Sequence, residues 1–134
     1  MSENGRMIAV DEKSMLVSET DPSGIVRYIN DDLIEISGFS EAELVGKPYD
    51  FMLHSSVPKS IPIDMGRAIN EGGVWKGFVK HRTKGGDYYW VFMTVFPIDS
   101  INGEGYLAVR TRANEEEIER YEKKYEQMRL EETR

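Results

Sequence analysis

Cysteine is absent from the sequence, and that alone excludes a set of chemistries. There is no disulfide, no thiolate zinc site, no covalent c-type haem attachment and no cysteine nucleophile. No apolar run is long enough to cross a bilayer, and residues 1–10 carry no signal-peptide pattern. A cytoplasmic protein, or a cytoplasmic piece of a larger one, is the expectation.

Positive charge is also short, with 17 Lys and Arg against 24 Asp and Glu and a net charge of −7. Without a basic stripe to neutralise phosphates, nucleic acid is excluded as a partner. Much of the negative charge falls near the C-terminus, so the globular part is closer to neutral. Signatures of catalysis are missing too. There is no nucleophile–base pair, no Gly-rich phosphate loop and no HExxH, and Asp64 and Glu35 are isolated carboxylates. The chain reads as non-enzymatic.

What is present is a core. The 134 residues are 40% hydrophobic, which fits one folded domain with an extension. The densest stretch is GGVWKGFVKHRTKGGDYYWVFMTVFPI at 72–98. Its two β-favouring runs, 74–82 and 88–95, flank the polar turn at 83–87 and predict a hairpin. Trp90, Phe92, Thr94 and Phe96 alternate with Tyr89, Val91, Met93 and Val95. Neither face is polar, so both are expected to be covered.

Before that hairpin, 15–19 and 25–29 read as paired strands around Asp21-Pro22-Ser23-Gly24. Residues 1–13 are a tail or a short helix over the outer face of the sheet, and the helix is favoured because that face needs a cover. Asn30 can cap a helix carrying Leu33, Ile34 and Ile36 that stops at Gly38. Ser40 with Glu43 is a capping-box pair. Ile61, Met65, Ala68 and Ile69 mark one face of a further helix with Pro62 in its first turn. Residues 105–111 form the last strand. The order β-β-α-α-α-β-β-β-α predicts an α+β domain with a five-stranded antiparallel sheet covered by helices on one face.

Asn114 and Glu117 form a second capping pair, and Ile118, Tyr121, Tyr125 and Met128 then recur at three- and four-residue spacing. This stripe either packs back on its own domain or begins a coiled coil. The coiled coil is preferred, because a helix this charged has little to bury against one small domain.

Residues 17–112 resemble a PAS domain, a sensory fold with this order of strands and helices. The marks are the turn at 21–24, INDDLIEISGFSEAELVGKP at 29–48, Trp75-Lys76-Gly77 and KHRTKGGDYYWV at 80–91. Within the family the chain looks most like the aerotaxis-receptor type. Met52, His54, Val57-Pro58-Lys59, Asp64-Met65 and YLAVRTRANEEEIE at 106–119 carry that likeness. The resemblance implies a cap or tail at 1–13, a PAS sensor domain at 14–112 and a C-terminal signalling helix at 113–134. It also implies noncovalently bound FAD that reports redox or oxygen status to a downstream signalling domain or chemotaxis receptor. A homodimer would form through the outer sheet face and the C-terminal helix. The flavin–cysteine photochemistry of light-sensing relatives is ruled out by the lack of a thiol.

Asn30, His54 and Trp75 are the implied cofactor contacts, and each has a plainer reading. Asn30 is otherwise a helix cap, Trp75 otherwise sheet packing, and His54 otherwise a surface histidine or, third, a haem ligand. His81 is expected in solvent near the hairpin turn, and Lys80, Arg82 and Lys84 on a solvated strand edge. The rival functions are a cofactor-free dimerisation module and a sensor of haem or a small metabolite.

Overall fold

The computed structural model describes residues 5–133. Strands β1 (Leu16–Thr20) and β2 (Val26–Ile29) are joined by a turn that Asp21 builds. Its Oδ1 accepts the backbone N–H groups of Ser23 at 2.8 Å and Ile25 at 3.0 Å. Three helices follow, α1 (Asp31–Ser37), α2 (Glu41–Leu44) and α3 (Ser60–Asn70), with a 3₁₀ turn at Tyr49–Met52 between the last two. The hairpin β3 (Trp75–Arg82) and β4 (Tyr88–Ser100) leads to β5 (Gly103–Arg112) and α4 (Glu115–Glu132).

The sheet order is β2-β1-β5-β4-β3, antiparallel throughout. The first and last strands are therefore central neighbours, and the helices inserted between them fold over one face. Leu33, Leu44, Met52 and Met65 are buried there against Leu16, Val79, Val91 and Met93. The helix signals are realised locally. Gly38 adopts φ 74° after α1, and Ser40 and Asn114 both make reciprocal capping boxes.

Three expectations are corrected. Residues 5–13 form no helix; Ile8 N–H donates to Tyr88 O at 2.7 Å and Tyr88 N–H to Arg6 O at 3.1 Å. Pairing of β4 with β5 begins only at Val91, so Tyr88 has a bare backbone edge that the extended segment satisfies. Residues 1–4 lie outside the described part. Secondly, β4 runs through Pro97 to Ser100. Its β3 partner ends at Trp75, opposite Val95, so a proline beyond that point sits on an unpaired edge.

The third correction concerns α4. Its stripe is laid on the chain's own outer sheet face instead of being presented to another helix. Tyr121 sits 4.8 Å from Phe78 and Tyr125 5.7 Å from Trp90, ring centre to ring centre. The Tyr125 hydroxyl donates to Phe78 O. At the far end Arg129 Nη1 donates to Ser56 O at 2.6 Å. The Glu132 carboxylate accepts the N–H groups of Lys59 and Ser60 at 3.0 and 3.1 Å. The aromatic outer face of this sheet supplies the apolar surface that the charged helix needed.

Candidate functional site: an interior cavity with a buried guanidinium

The strands alternate, so β1, β5, β4 and β3 each direct every second residue at the helical layer. On that face lie Ser18, Ala108, Arg110, Met93, Val95 and His81, and they border a space of about 30 Å³. The opposite wall is helical, with Tyr49, Leu53, Met65 and Ile69. The space is mostly apolar, but its sheet side carries a cation.

That cation is Arg110, which is 3% exposed. Nε donates to His81 Nε2 at 3.3 Å, Nη1 to Leu16 O at 3.3 Å and Nη2 to Ser18 Oγ at 2.9 Å. Burial lowers its pKa to about 10, partly offset by Tyr89, so it remains charged at neutral pH. His81 is 1% exposed, against the expectation of a solvent-facing residue. Its Nδ1 lies 3.2 Å from Met52 O. A carbonyl can only accept, so Nδ1 carries the proton and Nε2 accepts from Arg110. Burial first, and the Arg110 charge second, push the His81 pKa down to about 3. The ring is therefore neutral with a fixed tautomer. Tyr89 stacks on it at 5.5 Å, and its buried hydroxyl has no hydrogen-bond partner.

The three residues implied by resemblance are not among those that line this space. Asn30 uses both ends of its amide in the scaffold. Oδ1 accepts Leu33 N–H at 3.2 Å and Val17 N–H at 3.0 Å, while Nδ2 donates to Met15 O at 2.8 Å. His54 is 4% exposed, so it is no surface histidine. Its Nδ1 accepts Ser56 N–H at 3.0 Å and its ring stands edge-on to Tyr88 at 5.7 Å. Trp75 lies at the end of β3, its indole folded over Gly77, where a Cβ would come within 2.6 Å of the ring. Lys80 is buried against Glu122 at 3.4 Å and over the Tyr88 ring at 4.2 Å. Arg82 caps Phe51 O at 3.1 Å and covers the Phe51 ring. Neither is a solvated edge.

Arg110 and His81 are the residues that reading the sequence for function passed over. A signal was available in β5, where Tyr106, Ala108 and Arg110 share the inward phase. A charge in that phase is out of register with its strand.

The residues suit part of a flavin. The Arg110 cation on the cavity wall matches the polar, electron-rich edge of an isoalloxazine. This space is far smaller than ring-binding pockets of about 300–1,000 Å³, so a ring enters only if the helical wall moves. The sheet side is fixed by ladder hydrogen bonds.

The architecture is a five-stranded antiparallel sheet with α1–α3 on one face, α4 on the other, and a last strand that feeds the terminal helix. The chain belongs to the PAS domain family, whose model matches residues 12–111. It is 36% identical over 115 residues to the aerotaxis receptor of Escherichia coli K12, covering 85% of this chain and 23% of that protein. It is 25% identical over 103 residues to the nitrogen fixation regulatory protein of Klebsiella pneumoniae, covering 75% of this chain and 21% of that one. The chain thus spans about a quarter of the length of these relatives. Among solved structures, a light-oxygen-voltage domain studied with a flavin analogue superposes with a TM-score of 0.67 at 16% identity, covering 84% of this chain and 86% of that one.

Proposed function

We propose that the chain is the sensor module of an aerotaxis- or chemotaxis-type signalling protein, non-enzymatic, holding FAD noncovalently and reporting redox or oxygen status. The carrying observation is the position of Arg110. It borders the interior cavity and stands on β5, which runs through Ala113 directly into the Asn114 cap of α4. Support comes from the 36% identity to the aerotaxis receptor and from the flavin chemistry of the light-oxygen-voltage neighbour.

Bound flavin would supply the electron-accepting group. The protein's part is positional. Arg110 sets positive charge against the ligand's polar edge, and His81 fixes the guanidinium while offering no proton of its own. Met65 and Ile69 exclude water. A change of charge in the cavity alters the force on Arg110, hence on β5, and biases the docking of α4. A homodimer formed through the outer sheet face would have to displace α4 from Phe78 and Trp90 first.

The test is an absorption spectrum of protein purified from flavin-sufficient cells, before and after dithionite. Two visible bands that bleach on reduction support the reading. A colourless protein that also leaves added FAD unbound overturns it and favours a cofactor-free interaction module. A Soret band would instead assign the cavity to haem.

A further inference from the structure

Two cations are buried among the described residues, Lys80 and Arg110, and only the first has a carboxylate partner. Arg27 Nε meets Glu19 at 2.6 Å and Lys80 Nζ meets Glu122 at 3.4 Å. Arg110 is more deeply buried than Arg27, yet no carboxylate among the described residues reaches it. Its acceptors are a neutral imidazole, a carbonyl and a hydroxyl. Removing a guanidinium from water costs several kcal/mol that such neutral partners only partly offset. These three bonds occupy three of its five N–H groups. The unbalanced charge also borders a space of about 30 Å³ in the core. That is room for about two waters, or for one compact anion.

We propose that this cavity is an anion site centred on Arg110, taking a planar, carboxylate-like group that presents oxygen acceptors. The proposal rests on the cavity being the sensor's ligand site. The anion is either a small free carboxylate or the negatively charged edge of a larger ring ligand, and both meet the same guanidinium. His81 cannot serve as the anion's donor, because its proton is committed to Met52 O. The imidazole instead holds Arg110 Nε and leaves the η nitrogens as the recognition edge. A charge-assisted pair forming there is worth roughly twice a neutral hydrogen bond.

The probe is sodium formate, with sodium chloride at equal ionic strength as control, added to the flavin-free full chain. Formate is expected to raise Tm saturably, by about 3 °C more than chloride. The side-chain Nε–H resonance of Arg110 should shift in NMR spectra of the unsubstituted protein. Arg110→Met should lose the formate response, and Arg110→Lys should keep a weaker one because it lacks the fork. Equal responses to formate and chloride, or an Arg110 resonance that ignores formate, overturn the proposal. The NMR arm decides the matter even if Arg110→Met fails to fold.

FAD, followed by quenching of its fluorescence, separates the two sources. If FAD does not bind while formate still acts, the anion site stands and the flavin reading falls. If FAD binds about equally to wild type and Arg110→Met, and formate is inert, the flavin reading stands and the anion site falls. If both act, and Arg110→Met weakens FAD by about tenfold or more, the ring ligand uses this site.

Discussion

The carboxylate of Glu122 accepts the indole N–H of Trp90 at 3.0 Å, across the seam between α4 and the outer face of the sheet. The same oxygen lies 3.4 Å from Lys80 Nζ. One side chain of the terminal helix thus reads two neighbouring strands, because Lys80 and Trp90 are directly opposed in the hairpin. Trp90 is in consequence a built-in reporter of helix docking. Truncation before Asn114 should red-shift the Trp90 emission as its ring meets water, with Trp75→Phe as the background for the measurement. An unshifted spectrum would mean that α4 does not cover the sheet in solution.

Tyr125 anchors the same seam, being 4% exposed and bonded to Phe78 O. Tyr125→Ala should destabilise the domain by about 3 kcal/mol, as for other large aromatic truncations. Chemical denaturation would read this. A loss below about 0.5 kcal/mol would show that the helix contributes little to the fold.

His81 predicts an acid-sensitive fold. Its folded pKa of about 3 lies below the ordinary 6.5 because burial, and then Arg110, disfavour the charged ring. The unfolded chain therefore binds the extra proton across that window. The His81 contribution is fully present above 6.5 and lost as pH falls from there toward 3, by at most about 1.4 kcal/mol per pH unit. His81→Gln should flatten this limb of the stability curve. If the slope between pH 6.5 and 4.5 is the same in both proteins, the buried neutral imidazole is wrong.

Asn30 spends its amide on Val17, Leu33 and Met15. Asn30→Ala leaves those backbone groups without partners and should cost about 2 kcal/mol or more, whether or not ligand is present. A variant that keeps wild-type stability but loses ligand would reverse this assignment in favour of a binding role.

Glu132 holds the start of α3 through the N–H groups of Ser60 and Lys59, and these bonds keep its carboxyl below the usual glutamate pKa. That sign means the contact is complete above pH 4.5 and fades below it. Since α3 supplies Met65 and Ile69 to the cavity wall, Glu132→Ala should speed amide exchange in the first turn of α3, by about fivefold for a lost cap. Helix α1, which Glu132 does not touch, serves as the internal control.

Local chemistry made much of this fold legible. Asn30, Ser40 and Asn114 cap their helices through groups only three residues away, and Gly38 ends α1 by a backbone choice of its own. The β3–β4 hairpin follows from a turn whose glycine, Gly86, takes φ 98°. Such contacts fall inside the span that a sequence pattern describes. The PAS likeness was legible for the same reason, since its marks are contiguous motifs.

What the sequence determined by itself was therefore the order of elements, their caps and turns, and the need for a cover on both sheet faces. Only the tertiary structure decided which surface met which. Arg110 finds its partners 29, 92 and 94 residues away, and α4 meets a sheet face assembled from strands drawn from across the chain. His81 reads as a polar residue near a turn until Leu53 and Met52 close over it. Burial and charge balance depend on how the whole chain closes around a residue, and no window of neighbours contains that information.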